Sequence, residues 1–222
     1  MGLLVAGGTG VLGTAVVHEL LDAGHAIAAT WIVPEERERL ASLPVELVEA
    51  DLFDAGAAED AVAAVEDLEA VVDLVGGFSS GPRVHETDLE DFERVVRLNL
   101  TPAFTLARAA MPRMMERGGG AFVGVSARPA LRPFPGAAGY ITAKAALLAF
   151  IRALDAEYRG HGIRCNAILP SVIDTPANRE AEPDADWSRW VPPEEIAKVV
   201  RFLVSEDSQP TSGAAIPVYG RA

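Results

Sequence analysis

The sequence predicts a three-layer α/β fold: a doubly wound parallel sheet of seven strands with helices on both faces. Three observations carry this. Several short runs are apolar at every position, which suits strands buried on both faces rather than strands with one wet side. These runs alternate along the chain with segments of helical period, the order that yields right-handed crossovers in a parallel sheet. Glycines 7, 10 and 13 fall directly between the first such run and the first helical segment.

The elements follow in order. Gly2–Ala6 is the first strand, Gly7–Gly13 a turn and Thr14–Ala23 an amphipathic helix. His25–Ile32 reads as the second strand, Pro34–Ser42 as a helix opened by proline, and Val45–Ala50 as the third strand. Asp51-Leu52 follows, then an alanine-rich helix over Ala55–Leu68, a fourth strand Ala70–Val75 ended by Gly76-Gly77, and a polar loop Phe78–Thr87. Asp88–Arg117 is a long helix in which Pro102 cannot donate to the carbonyl of Leu98, so a kink beside Asn99 and a carbonyl open to water are expected. Ala121–Ser126 is the fifth strand, Ala127–Ala138 a proline-rich loop, Gly139–Tyr158 a helix and Ile163–Leu169 the sixth strand. Pro170–Val191 reads as loop, Pro193–Ser205 as helix and Ala214–Tyr219 as the last strand. No linker or repeat interrupts the 222 residues, so residues 1–222 are expected to form one domain of Rossmann-like architecture.

Composition narrows the functional classes. The formal charge of −13 opposes nonspecific attraction to nucleic acid or anionic lipid, so an anionic ligand must be held by local features. No run approaches the ~18 apolar residues of a membrane span, and no basic stretch precedes the first apolar run; a soluble, unprocessed, cytoplasmic protein is expected. The single cysteine, Cys165, lies in an apolar run, which leaves no internal disulfide and no cluster of cysteine ligands, and no metal is expected.

The candidate chemistry lies at Tyr140 and Lys144. Standing at i and i+4, they share one helix face, so a phenol and an ammonium become neighbours. A free tyrosine titrates near ~10, and an adjacent cation brings it toward the working range of a neutral-pH acid or base. Ser126, fourteen positions upstream, sits at the carboxyl end of the fifth strand, where open α/β sheets bind ligands. A hydroxyl that polarises a carbonyl beside a phenol that exchanges its proton suits hydride chemistry. A Tyr/Lys pair at this spacing is common in helices that carry no chemistry, so the other motifs must corroborate it. Glycines at 7, 10 and 13 do so, since they permit a tight turn, approach of a pyrophosphate and close helix packing, with the helix N-terminus facing the phosphates.

On these residues the chain resembles the short-chain dehydrogenase/reductase family over essentially its whole length. The Tyr-x-x-x-Lys pair, Ser126, the helical Asn99, Asp51-Leu52, the Asp73-Leu74-Val75-Gly76-Gly77 segment and Asn166–Ser171 with Thr175-Pro176 all stand in family order. The resemblance implies an NAD(P)-dependent oxidoreductase acting on a ketone, aldehyde or secondary alcohol. It implies that Tyr140 is the acid/base, that Lys144 lowers its pKa and bonds the nicotinamide ribose, that Ser126 polarises the carbonyl, and that Asn99 anchors a proton-relay water. It also implies cofactor contacts from Gly7, Thr9, Gly10, Val11, Leu12, Gly13, Trp31, Arg37, Asp51, Leu52, Gly76, Gly77, Tyr140, Lys144, Pro170, Ser171, Ile173 and Thr175. Departures from the family pattern are Ala6 in place of a threonine, the Gly-x-x-Gly-x-x-Gly spacing, the missing asparagines after Asp73, and Ser171 in place of a glycine. The competing readings are a catalytically weak cofactor-binding sensor on the same fold and a nucleotide-sugar epimerase or dehydratase. The latter adds a substrate domain for which too few residues follow the sixth strand.

Trp31 stands where an acidic residue would repel a 2′-phosphate, while no basic residue lies in the glycine loop. The cofactor is therefore NADP(H) or NAD(H), the balance tipping to NADP(H) with Arg37 as partner of the phosphate. Phe134, Trp187 and Trp190 lie in loops that border a pocket or cap the core, and Arg83 and His85 lie in the loop after the fourth strand. Apolar residues on more than one helix face (Val95, Val96, Leu106, Met111, Met114; Leu147, Phe150, Leu154) predict a homodimer or homotetramer through the two long helices.

Overall fold

The computed structural model describes residues 2–221. Seven parallel strands form one sheet in the order β3-β2-β1-β4-β5-β6-β7. They are β1 (Gly2–Ala6), β2 (Ala26–Trp31), β3 (Val45–Glu49), β4 (Leu68–Asp73), β5 (Gly120–Val125), β6 (Ile163–Pro170) and β7 (Ala215–Val218). The helices are α1 (Val11–Asp22), α2 (Pro34–Arg37), α3 (Ala55–Ala63), α4 (Leu89–Arg117), α5 (Ala138–Tyr158), α6 (Pro176–Ala181) and α7 (Pro193–Val204). The chain order reverses between β1 and β4, which places the switch point of the sheet beside the glycine turn.

Alternation along the strands divides the core. Leu4, Val71 and Phe122 face α3, α4 and α5, and pack with Val62, Leu106, Met111, Leu147 and Ile151. Leu3, Val5, Val72 and Val123 face α1 and α7, and pack with Val16, Leu20, Ile196 and Val200. Both faces of the central strands are dry, which is why those strands read as unbroken apolar runs.

Several boundaries differ from the sequence expectation. The helix expected over Ala55–Leu68 ends at Ala63, because Leu68 enters the ladder opposite Gly2, and β4 accordingly starts two residues early. β4 also leaves the ladder early: the Asp73 carboxylate turns back to accept from the N–H of Val75 at 3.1 Å. The second helix is a single turn followed by further turns. Within the expected loop 170–191 lies α6, whose first turn is capped by the Thr175 hydroxyl accepting from the N–H of Asn178. Prolines 102 and 112 are both accommodated within the continuous α4.

The expected assembly residues are mostly interior. Val95, Leu106, Met111, Met114, Leu147 and Leu154 are buried in the monomer's own core, since α4 and α5 pack on each other and on the sheet. Val96 and Phe150 stay half-buried, and Phe104, 54% exposed, has its ring 6.2 Å from that of Phe150.

Candidate active site

The carboxyl end of β5 holds Lys144 at both of its ends. Its ammonium donates to the carbonyl of Val125 at 2.8 Å, and its own carbonyl accepts from the Ser126 hydroxyl at 2.8 Å. Lys144 is buried although it is charged, and burial lowers its pKa while the charge of Asp73 opposes that fall. Asp73 shows the reciprocal effect: burial raises its carboxyl, while the Val75 N–H and Lys144 pull it back. Glycine is required at position 76 in this cluster, since a β-carbon there would stand 2.6 Å from Oδ1 of Asn99 and 3.0 Å from Nζ of Lys144.

Tyr140 begins the turn before Lys144, and Nζ lies 5.9 Å from the centroid of its ring. Phe78 packs edge-on against that ring at 5.2 Å. Burial pushes the Tyr140 phenol up to about 12. The ammonium is engaged by Val125, and the ring is covered by an aromatic residue of the loop after β4.

The side chains of Ser126 and Asn99 are both engaged by the protein itself. The Ser126 hydroxyl is directed to the Lys144 carbonyl, and the residue is only 1% exposed. The Asn99 side chain clamps the end of β4: Oδ1 accepts from the N–H of Gly77, while Nδ2 donates to the carbonyls of Gly77 and Val95, each within 3.1 Å. Its amide is thereby committed to the protein's own backbone.

The glycine turn lies across the switch point. The N–H of Gly7 donates to the Thr30 hydroxyl at 2.9 Å, which ties the turn to β2. Gly13 must lack a side chain, because a β-carbon would meet the carbonyl oxygens of Gly7 and Gly8 at 2.2 and 2.6 Å. Gly10 caps α1 without any side chain on its first-turn N–H groups, the arrangement that receives a phosphate. A cavity of about 490 Å³ runs between Val11 and the segment Asp174–Pro176, bounded also by Pro192–Glu194. Val11, the first residue of α1, and the Thr175 segment thus border one space, a setting that fits the phosphates of a dinucleotide.

The other expected contacts have definite positions. Asp51 follows β3, with its carboxylate accepting from the N–H of Phe53, and the carbonyl of Leu52 accepts from Thr105. Pro170 ends β6; Ser171, in the place of glycine, donates its hydroxyl to the carbonyl of Tyr219; Ile173 bridges to Val191. Leu12 packs in the α1 face of the core and Thr9 is buried in the turn. Arg37 lies 5.6 Å over the ring of Trp31, so its guanidinium rests on the end of β2. The residue that reaches the glycine turn is Arg39, which donates to the carbonyl of Thr9 at 2.7 Å and pairs with Glu36 at 3.0 Å. Phe134 is exposed and joins Phe78 at 6.4 Å. Trp187 packs against Trp190, which is buried, while Arg83 and His85 are exposed.

Comparison with known proteins places this geometry. The family model described as enoyl-(acyl carrier protein) reductase matches residues 7–220. The chain is 31% identical over 240 residues to 2-(R)-hydroxypropyl-CoM dehydrogenase of Xanthobacter autotrophicus, covering 98% of this chain and 96% of that one. It is 30% identical over 231 residues to the 3-oxoacyl-[acyl-carrier-protein] reductase MabA of Mycobacterium bovis, covering 98% and 91%. Among solved structures, a blue fluorescent protein from a metagenomic library in complex with NADPH superposes with a TM-score of 0.88 at 26% identity, covering 100% of this chain and 97% of that one. No described helix is long and apolar enough to cross a membrane. With a family match over nearly the whole length, the sheet order and the glycine turn, the chain belongs to the short-chain dehydrogenase/reductase family and is an NAD(P)-dependent oxidoreductase.

Proposed function

We propose that the protein interconverts a ketone or aldehyde and the corresponding secondary or primary alcohol, with Tyr140 as the group that moves the proton at the substrate oxygen. The observation that carries this reading is the meeting of Tyr140, Lys144 and the end of β5 at the sheet's carboxyl edge, beside the glycine turn. Bound NAD(P)(H) supplies or accepts the hydride. A phenol that stays protonated through neutral pH is a proton donor in reduction and becomes the base in the reverse direction. Lys144 stabilises the phenolate left after donation and holds the cofactor's ribose. Asn99 acts by fixing Gly76-Gly77 through its amide, which keeps that backbone flat for a planar ring to approach. Ser126 fastens the Lys144 turn instead of reaching the substrate oxygen. The related names, a hydroxypropyl dehydrogenase and a 3-oxoacyl reductase, join a secondary alcohol to a ketone and support this substrate class.

One domain carries both cofactor and catalytic residues in this reading, in the cytoplasm. NADP(H) is the preferred cofactor, and Arg39 on the Thr9 carbonyl is better placed than Arg37 to meet a 2′-phosphate. Arg39→Ala should lower the NADP(H)/NAD(H) ratio of kcat/KM about tenfold or more, and Arg37→Ala should lower it less. Self-association as a dimer or tetramer uses the outer face of α4 and α5, where Phe104 and Phe150 lie together; light scattering at micromolar concentration that gives a 23.4 kDa particle would contradict it. The reading as a whole is tested by screening ketones, aldehydes and secondary alcohols with both cofactors, following nicotinamide absorbance. Cofactor binding without turnover of any of them would overturn it.

A further inference from the structure

Three aromatic rings meet at the catalytic residues. Phe78 packs against the ring of Tyr140 with centroids 5.2 Å apart and planes at 78°, and the ring of Phe134 lies 6.4 Å from that of Phe78. Their place follows from the topology. Phe78 comes directly after the Gly76-Gly77 backbone that Asn99 holds, and Phe134 stands in the loop between Ser126 and Tyr140. These loops leave the carboxyl ends of the neighbouring strands β4 and β5, where an open sheet takes its ligand. A backbone hydrogen bond clasps the two loops together, from the N–H of Gly81 to the carbonyl of Gly136 at 2.7 Å.

Both phenylalanines remain in contact with water, Phe78 at 61% exposure and Phe134 at 41%. Large rings left wet beside a catalytic phenol mark a surface that a ligand covers. Neither side chain offers a hydrogen bond, so a polar or charged substituent pressed on them would lose its water without gaining a partner. A flat apolar substituent carries no such cost. The centroid spacings already present lie in the range at which aromatic pairs attract beyond their buried area, so a further ring joins this cluster on the same terms. A substrate oxygen that hydrogen-bonds the Tyr140 phenol brings its carbonyl carbon, and whatever that carbon bears, next to the ring on which Phe78 packs.

We infer that the substrate is an aryl aldehyde or aryl ketone, with Phe78 and Phe134 as the residues that select the aryl group. The inference rests on the oxidoreductase reading for the place of the carbonyl, and on the three rings for its substituent. Selection of this kind discriminates a flat ring from a saturated ring of like size, because both bury similar apolar area and only the first gains the aromatic contact. One such contact corresponds to about a two- to tenfold preference.

The test compares benzaldehyde with cyclohexanecarboxaldehyde, each with NADPH, on the unmodified chain, Phe78→Leu and Phe134→Leu. Leucine keeps the wall apolar while removing the ring, and both positions are exposed, so the variants retain the fold. The benzaldehyde to cyclohexanecarboxaldehyde ratio of kcat/KM should fall about two- to tenfold in each variant. Intrinsic reactivity of the aldehydes cancels between proteins, and any effect of Phe78 on the phenol acts on both aldehydes alike. A second arm titrates benzyl alcohol and cyclohexylmethanol into the NADPH complex, in which neither alcohol can pass on a hydride, and reads nicotinamide fluorescence. Benzyl alcohol should bind more tightly to the unmodified chain, and the preference should shrink in both variants. An unchanged ratio in both variants, parallel loss of both aldehydes, or equal binding of the two alcohols by the unmodified chain would overturn the inference. Binding of neither alcohol would overturn it as well, and leave the aromatic face to a second copy of the chain. Turnover of aliphatic carbonyl compounds without turnover of benzaldehyde sinks the aryl assignment and leaves the oxidoreductase reading intact. A chain that turns over no carbonyl compound contradicts the oxidoreductase reading, while ring-dependent binding of benzyl alcohol still upholds the aryl subsite.

Discussion

Replacing Ser126 with alanine separates two roles that a serine at this place could have. In the structure its hydroxyl makes one contact, to the carbonyl of Lys144 at 2.8 Å, and the residue is 1% exposed. That carbonyl lies within α5 and keeps its place in the helical ladder, so the substitution leaves no orphaned acceptor. One buried hydrogen bond of this kind contributes about 0.5–1.5 kcal/mol, which for a chain of this length lowers the melting temperature by roughly 1–6 °C. A donor aimed at the substrate's developing oxyanion behaves otherwise: its loss reduces turnover by about 10²–10³ with little effect on stability. The fastening role predicts a measurable drop in melting temperature, less than about a tenfold loss in kcat, and weaker cofactor binding through a loosened Lys144. Thermal melts, nicotinamide fluorescence titration and steady-state kinetics on one preparation decide it. A hundredfold loss of kcat with unchanged melting temperature would refute the fastening role and restore Ser126 as the polarising donor.

Two further outcomes follow from the same cluster and from the glycine turn. Gly13→Ala drives a β-carbon into the Gly7 and Gly8 carbonyls, so overpacking of about 1–3 kcal/mol should appear as a lower melting temperature together with weakened cofactor binding; wild-type affinity would contradict the phosphate site assigned to this turn. Asp73→Asn keeps an acceptor for the Val75 N–H and removes the one charge that raises the pKa of Lys144, so that pKa should fall further. Because the ammonium is lost as pH rises through its pKa, the alkaline fall in cofactor affinity should move to lower pH in the variant; superimposable pH profiles would show that Asp73 does not act on Lys144.

The strands and the residue types of the site were legible in the sequence, while contacts made at long range were not. Runs such as Leu3–Ala6 and Phe122–Val125 are apolar throughout because both sheet faces are covered, and this is a signal that local reading detects. Leu68 misled because it satisfies both the helical period of α3 and the start of β4; only its pairing with Gly2 settles which applies. Tyr140 and Lys144 were found by spacing alone, yet the phenol's environment depends on Phe78, which a polar-looking loop carries in from sixty-two residues away. Ser126 was legible as a hydroxyl at a strand end, but the direction in which it donates is a matter of rotamer and packing. The reach of Arg39 to Thr9 spans thirty residues of sequence, which no local pattern shows. Asp73 left a usable trace: a carboxylate inside an otherwise apolar strand calls for a buried partner, and Lys144 is the cation that acts on it. The long helices showed excess apolar surface by period, and most of it is taken up by their packing on each other and on the sheet, leaving Phe104 and Phe150.

The central claim is that Tyr140 moves the proton at the substrate oxygen, and Tyr140→Phe tests it most directly. The ring and its edge-on contact with Phe78 survive the substitution, so the fold and the cofactor dissociation constant should be unchanged. Measured with any carbonyl the unmodified protein reduces, kcat should fall by about 10²–10⁴ while NADPH fluorescence titrations superimpose. Retention of more than about a tenth of the turnover, with cofactor binding intact, would contradict the assignment.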